Sequence, residues 1–485
     1  MQRASSHSSP VGSGILLAWL VVHVGLAALF APVAHADDVI AHAPPLPAKV
    51  AHLANGLEVL IHEDHRTPIA AVNLWYHVGS KDEAPGKSGF AHLFEHVMFQ
   101  GSKHVPEDTY LRYLERAGAT DANGATHTDR TAYYETVPSN RLELALWLES
   151  DRMGFLLAHV DGQTFAVQRD IVRNERRQNY ESVPYGLVGS IVRAAVYPVG
   201  HPYHEPAIGN AHDLDTATLN DVRQFFIDWY VPRNAVLVIA GDVDPDKTMA
   251  LVEKYFAPIA SGDVPERRPA TPVAPPGETH LDVRAGVELA RVYVTWSTPA
   301  FFAPGDGELD LIARALAGGK SSRLYRRLVY ELRIAEDLTA SQASSELGSM
   351  FEIVATAQPG HTPQELLAAI DAELEKIRAT PIADDELARA KTALVASRIF
   401  SLERVASQAD LINTYALYEH QPDGIAADLA RYEAATPTTL RDAAARYLPA
   451  HVRVVTFVTP TPGAPVCGEL ATTPATNPAA KKETP

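Results

Sequence analysis

The residues best placed to do chemistry are His92, Glu95 and His96, in the stretch Ser88-Gly89-Phe90-Ala91-His92-Leu93-Phe94-Glu95-His96-Val97-Met98-Phe99. Apolar residues recur there at helical spacing, so the two histidines, four apart, share one helix face about a turn from each other. Imidazoles so placed reach one zinc ion, which is held at about 2.0–2.1 Å from each nitrogen. Glu95 leans toward the same face, where a carboxylate can take a proton from water beside the metal. The order is the inverse of the H-E-x-x-H pattern, with the same mechanics. The plain alternative is a helix carrying three solvated polar groups. It fits poorly, because Phe90, Leu93, Phe94, Val97, Met98 and Phe99 leave little polar face, and ionisable groups on an apolar helix need partners.

A catalytic zinc takes three protein ligands and leaves one position open, so a third ligand must come from another rigid element. Residues 161–181 read as a helix with Phe165, Gln168, Val172, Glu175 and Asn179 at steps of three and four, which puts Glu175 on the inward stripe. Beside Arg176 and Arg177 it reads equally well as a surface glutamate, and Asp170 and Glu181 are the other acids nearby. The residues alone leave these readings open. Two further clusters are weaker candidates. His62-Glu63-Asp64-His65 follows a strand and enters a turn, where its side chains face solvent. His201-Pro202-Tyr203-His204 lies in a proline-broken loop and reads as a turn with two exposed imidazoles, or as a contact to substrate.

Positioning these groups requires a scaffold of strands as well as helices. Residues 49–54 and 57–62 read as a hairpin about Asn55-Gly56, a pair suited to a type I′ turn, and 69–78 as a third strand. Helical patterns follow at 88–101, 106–117, 140–157, 161–181 and 217–230, with strands near 119–127 and 130–137. Strands and helices do not alternate strictly, which predicts an α+β fold with helices packed on one face of a mostly antiparallel sheet. The chain also repeats itself. The helix opened by Thr218-Leu219-Asn220-Asp221 and the apolar strand 234–240 return as Thr439-Leu440-Arg441-Asp442 and strand 452–458, with the helix starts 221 residues apart. Residues 265–279, rich in Pro, Ala and Arg, read as a linker. The reading is therefore two duplicated domains, 45–264 with the metal site and 280–460 without one, and a disordered tail over 461–485.

Composition narrows the field. The 485 residues carry 42 Lys and Arg against 59 Asp and Glu, a formal charge of −17, which argues against nucleic acid as a partner. Cys467 is the single cysteine, so no intramolecular disulfide and no multi-cysteine metal site can form. Residues 15–31 are apolar apart from His23, follow a polar start containing Arg3, and precede the small-x-small triplet Ala34-His35-Ala36. That layout is a signal peptide, residues 1–36, cleaved after Ala36, with a membrane anchor as the competing reading because about 17 apolar residues lie near the lower limit for a spanning helix. It predicts a periplasmic or secreted protein with no stable membrane anchor.

With these residues in view, the chain resembles the pitrilysin family of zinc metallopeptidases, which includes insulin-degrading enzyme and mitochondrial processing peptidase. The resemblance spans about residues 45–460. It rests on Gly89 to His96, on Asn123-Gly124-Ala125-Thr126 with Asp129-Arg130-Thr131-Ala132-Tyr133-Tyr134, and on Asn174-Glu175-Arg176-Arg177. Gly200-His201-Pro202-Tyr203 and Gly318-Gly319-Lys320-Ser321-Ser322-Arg323-Leu324-Tyr325 add to it. By that resemblance His92, His96 and Glu175 hold one zinc ion per chain and Glu95 is the general base. Asn123, Gly124 and Ala125 belong to the edge strand that pairs with the substrate backbone. Gln168 stands where relatives often carry a further glutamate. The Arg and Tyr that complete the site in many relatives are missing near residues 328–337, where Tyr330 and Glu336 stand, with Arg323 or Arg333 as substitutes within the chain. The family usually closes four such domains around a peptide substrate, which implies a second subunit, either a related chain in a heterodimer or another copy in a homodimer. The implied function is an exported zinc metalloendopeptidase cutting peptides or unfolded polypeptides. The alternative is a non-catalytic peptide-binding or structural subunit; such subunits usually lose His or Glu from the motif, and this chain keeps all of them.

Overall fold

The computed structural model describes residues 45–471 except 271, 272 and 274–276. The expected signal peptide and the end of the expected tail, from 472 onward, lie outside the described residues. The first half runs β1 (Lys49–His52), β2 (Glu58–Glu63), β3 (Ile69–Tyr76), α1 (Phe90–Val97), α2 (Tyr110–Ala117), β4 (Thr120–Thr126), β5 (Thr131–Pro138), α3 (Leu142–Phe155), α4 (Gly162–Arg176), α5 (Val188–Val196), α6 (Ala211–Thr216), α7 (Leu219–Trp229), β6 (Ala235–Gly241) and α8 (Pro245–Phe256). The second runs β7 (Glu278–Ala285), β8 (Arg291–Thr298), α9 (Asp306–Ala317), β9 (Ala335–Ala343), β10 (Ser349–Ala357), α10 (Pro363–Ala379), α11 (Asp384–Ser401), α12 (Val405–Glu419), α13 (Ile425–Ala434), α14 (Pro437–Tyr447), β11 (Arg453–Pro460) and β12 (Glu469–Leu470).

The two sheets share one plan. Their strand orders are β1-β2-β6-β3-β5-β4 and β12-β7-β11-β8-β10-β9. β6 inserts between β2 and β3, and β11 between β7 and β8, each parallel to the first of its neighbours and antiparallel to the second. All other pairs are antiparallel, so the class is α+β with mixed, mostly antiparallel sheets. The repeat is real, but its offset is 218 rather than 221. Thr218 caps α7 and Thr436 caps α14, and β6 and β11 begin at Ala235 and Arg453. The buried stripes Val222-Phe225-Phe226 and Leu440-Ala443-Ala444 match at the same offset. The likeness of Thr218-Leu219 to Thr439-Leu440 misleads by nearly a turn, because the capping threonine of α14 sits three residues earlier.

Each half's own helices pack on one face of its sheet, as the patterning implies. Val59, Ile61, Val72, Leu74, Leu237 and Ile239 join α1, α3, α7 and α8 in one core, and Val292, Val294, Trp296, Phe351 and Ile353 do the same with α9, α10 and α14. The opposite faces are covered too, by exchange between the halves. Leu60, Ala71, Val238 and Ala240 meet Val405, Ala409, Ile412 and Ala416 of α12. In turn Val283, Tyr293, Val454 and Val458 meet Val188, Val192 and Val196 of α5. A buried bond from Asn413 Nδ2 to the carbonyl of Asn73, 3.0 Å, fixes α12 on the first sheet.

Three local expectations change. The β1–β2 register pairs His52 with Glu58, and the Leu53 N–H bonds the Leu57 carbonyl at 2.9 Å. This leaves a three-residue loop over 54–56 with Gly56 left-handed at φ +94° instead of a two-residue type I′ turn. Asn55 is buried and spends its amide on the carbonyls of Phe256 and Ile259. Residues 461–471, expected as part of a disordered tail, instead supply β12, which pairs with β7 as the edge of the second sheet. Likewise β7 begins at Glu278, within the span expected as linker. Among the described residues no helix is long and apolar enough to cross a membrane.

Candidate metal centre

Helix α1 starts without a side-chain cap, because Gly89 at its N-terminus has none to offer and sits at φ +86°. A Cβ there would lie 2.9 Å from the Ile208 carbonyl, so glycine permits both the turn and the close approach of the 208–209 loop. Glu83 does the capping. Its buried carboxylate accepts from the N–H of Gly89 (3.0 Å) and Ala91 (2.9 Å), two donors a helix end leaves open. Phe90, Leu93, Phe94 and Val97 then bury the inner face, and the outer face presents His92 and His96.

Helix α4 is capped by Asp161, which accepts from the backbone of Gln163 and Thr164, and it buries Phe165, Gln168 and Val172. Its last turn brings Glu175 opposite the histidines. Glu175 Oε2 is 3.6 Å from His92 Nε2 and 3.3 Å from His96 Nε2. Arg176 ties this turn to the same glycine loop through the Gly209 carbonyl at 2.7 Å. Beyond it the helix widens into a π-helical turn over Arg177–Glu181, where Asn179 is exposed instead of continuing the inward stripe.

The three groups form the one cluster of this kind among the described residues, with ligand atoms all within 4.8 Å of one another. Three ligands about 2.1 Å from a tetrahedral zinc stand roughly 3.4 Å apart, which matches the two measured separations. Both are longer than a charge-assisted hydrogen bond, so the carboxylate and the imidazoles frame a space for a cation. Burial pushes the His92 imidazole down to about 4, with repulsion from His96 adding to it and Glu175 opposing; burial lowers His96 as well. Both rings are thus neutral at pH 7, the state that ligates metal. His92 Nδ1 is buried without a hydrogen-bond partner among the described residues, and the ring meets that of His96 edge-on. The residues present fit zinc.

Glu95 is buried beside this cluster. Thr126 Oγ1 donates to its Oε2 at 2.6 Å, and burial, aided by the nearby Glu175 charge and opposed by Thr126, pushes its carboxyl up to about 7. Its other oxygen lies against β4: a Cβ on Gly124 would sit 2.9 Å from Oε1 and 2.8 Å from Cγ. Strand β4, with Asn123, Gly124 and Ala125, is the free edge of the first sheet. Its pairing with β5 shifts register between Thr120 and Asn123, just before the residues that meet Glu95.

The remaining candidates are committed elsewhere. Asp170 and Glu181 pair with Arg173 and Arg176. Against expectation His62 is buried, bonded to the Pro47 carbonyl at 2.8 Å, while His65 pairs with Glu63 and Asp242. His201 stacks on Tyr197, and His204 bonds the Tyr197 carbonyl. Arg323 makes a bidentate pair with Glu386, Glu336 accepts from Gln358, and Tyr330 leans on Tyr325. Sequence reasoning missed Glu83 and the role of Thr126. The one available signal for Glu83 was a helix opening on glycine, which must borrow its cap from elsewhere.

Comparison with known proteins gives a consistent result. Residues 58–195 match the family model described as insulinase, peptidase family M16, and residues 216–394 match that of the peptidase M16 inactive domain. The chain is 31% identical over 375 residues to the zinc protease PqqE of Helicobacter pylori, covering 76% of this chain and 83% of that protein. A crystal structure of a protease from Helicobacter pylori superposes with a TM-score of 0.81 at 28% identity, over 86% of this chain and all (100%) of that one. The periplasmic protease PqqL from Escherichia coli shares the fold at TM-score 0.70 and 18% identity, over 86% of this chain and 48% of that one.

Proposed function

This chain belongs to the insulinase family of peptidases, M16, and from that membership we propose that it is an exported zinc metalloendopeptidase that hydrolyses peptides or unfolded polypeptides. The observation that carries the reading is the convergence of His92, His96 and Glu175 on one point with the buried carboxylate of Glu95 beside it. His92, His96 and Glu175 would hold the one ion. When bound, zinc supplies a Lewis acid that acidifies water and polarises a scissile carbonyl. Glu95 accepts the water proton and returns it to the leaving amine; Thr126 steadies one carboxylate oxygen and leaves the other free for that traffic. A substrate strand adding to the edge of β4 would present its backbone beside Glu95, which converts encounter into a nearly unimolecular step.

The signal-peptide pattern of residues 1–36 supports export to the periplasm or beyond. A second subunit, a related chain or a second copy, is proposed to complete the active assembly. Its support is that Arg323 is engaged with Glu386 and that the chain spans 48% of PqqL. The test is zinc content together with cleavage of a random peptide library across a protein concentration series. Stoichiometric zinc with cleavage, lost by at least about 100-fold in Glu95→Gln, supports the reading. Full activity of Glu95→Gln overturns the general base, and high, concentration-independent turnover by a monomer overturns the partner.

A further inference from the structure

The other face of the same edge strand carries a cavity that the metal centre does not use. Successive residues of a strand point to opposite faces. Gly124 and Thr126 face Glu95. Ala125 faces away, and with His127, Arg130 and Tyr134 it lines a cavity of about 530 Å³ whose far wall is α11 and α12 of the second half. A peptide strand added to β4 alternates in the same way. Residues of one parity lie over the metal side, and their sequence neighbours project toward this cavity.

Two of the three guanidinium groups there are engaged with carboxylates. The Arg404 guanidinium is taken by Asp121 at 3.0 Å, spanning the cavity between β4 and the start of α12, and that of Arg398 lies 3.5 Å from Asp428. Arg130 lies 3.6 Å over the Trp75 ring and has no ion pair or hydrogen-bond acceptor for its guanidinium among the described residues. Asp410 faces the same space without an ion pair to Arg130. Burial pushes its carboxyl up, while the Arg130 charge and a bond from Asn73 oppose the rise, so it competes with a ligand for Arg130 only through space. His127 is held neutral by burial, pushed down to about 4, with Arg130 adding to the effect. A planar fork of five donors in a partly desolvated site matches a carboxylate.

We propose that this cavity is a substrate side-chain subsite that selects an acidic residue, Asp or Glu, through Arg130. The proposal rests on the reading that substrate adds to β4 as a strand, and its test separates the two. Zinc-loaded Glu95→Gln protein, which should bind without cutting, is titrated with short peptides that differ by Glu, Gln or Lys at one position, scanned along the peptide. Glu should bind roughly 10- to 100-fold tighter than Gln, the range of a hydrogen bond to a charged group, and only at alternate positions. Arg130→Gln in the same protein should erase that difference with zinc content unchanged, Arg130→Lys should keep part of it, and Asp410→Asn should widen it. Peptides that bind with Glu and Gln alike, or a preference that survives Arg130→Gln, overturn the subsite and leave the peptidase reading intact. If no peptide binds and wild-type zinc-loaded protein cuts none, the peptidase reading falls and the subsite falls with it.

Discussion

At the scale of single residues, His92 and His96 were legible because two imidazoles on an otherwise apolar helix have few other uses. Glu175 was only partly legible. The helical stripe put it inward, its arginine neighbours put it at the surface, and the family resemblance chose between them, because its position depends on where the last turn of α4 lands against the Gly209 loop. Replacing any of the three by alanine should lower zinc occupancy, read by metal analysis of the purified variants. Stoichiometric metal in Glu175→Ala would remove it from the ligand set. The pH dependence should follow Glu95. A general base acts only when ionised, and burial raises its carboxyl to about 7, so kcat/KM should fall as pH drops through that region, with the limb drawn lower by a bound cation. Thr126 opposes the rise, so Thr126→Val should move the limb to higher pH. A limb that stays put or moves down in that variant would detach Glu95 from the profile.

At the scale of elements, periodicity located the helices and strands, while partner choice decided their ends and registers. Asn55-Gly56 carries a turn signal, yet Asn55 is used as a buried donor to α8 and its end, and the loop gains a residue to allow it. Strand β4 shows a comparable constraint at Gly124. Its backbone is in ordinary strand conformation, so alanine is tolerated by φ and ψ but not by Glu95, which the added Cβ would meet at 2.8 Å. Gly124→Ala should therefore keep zinc and fold while lowering kcat/KM by roughly 10- to 100-fold, the cost of displacing a catalytic group by a fraction of an ångström to 1 Å. Unchanged kinetics would show that Glu95 has room to move aside. Conversely, loss of zinc would mean that the clash spreads along α1.

At the scale of the whole molecule, the duplication was legible from one recurring helix–strand unit, although its offset was misread. The exchange of helices was not legible. An amphipathic stripe records that a face is buried but not which sheet buries it. That exchange makes each half incomplete, because the first sheet without α12 and the second without α5 each expose a continuous apolar face, the kind of patch that drives association. Residues 45–264 and 278–471 expressed as separate chains should each aggregate or bind a hydrophobic dye, and co-expression should yield a soluble one-to-one complex that retains zinc. Two independently soluble, monomeric halves would contradict the exchange.

The reciprocal placement of α5 and α12 also bears on ancestry. Each is the third helix after the fourth strand of its half's common five-strand plan, so the two play the same part, each on the other half's sheet. A single-unit precursor with this design would have had a bare sheet face and a helix with nothing of its own to cover. Two such polypeptides trading that helix would have satisfied each other through a self-complementary contact. On that view tandem fusion did not create the interface; it made permanent a domain-swapped pair, after which one copy could lose its metal-binding side chains while still serving as the other's lid.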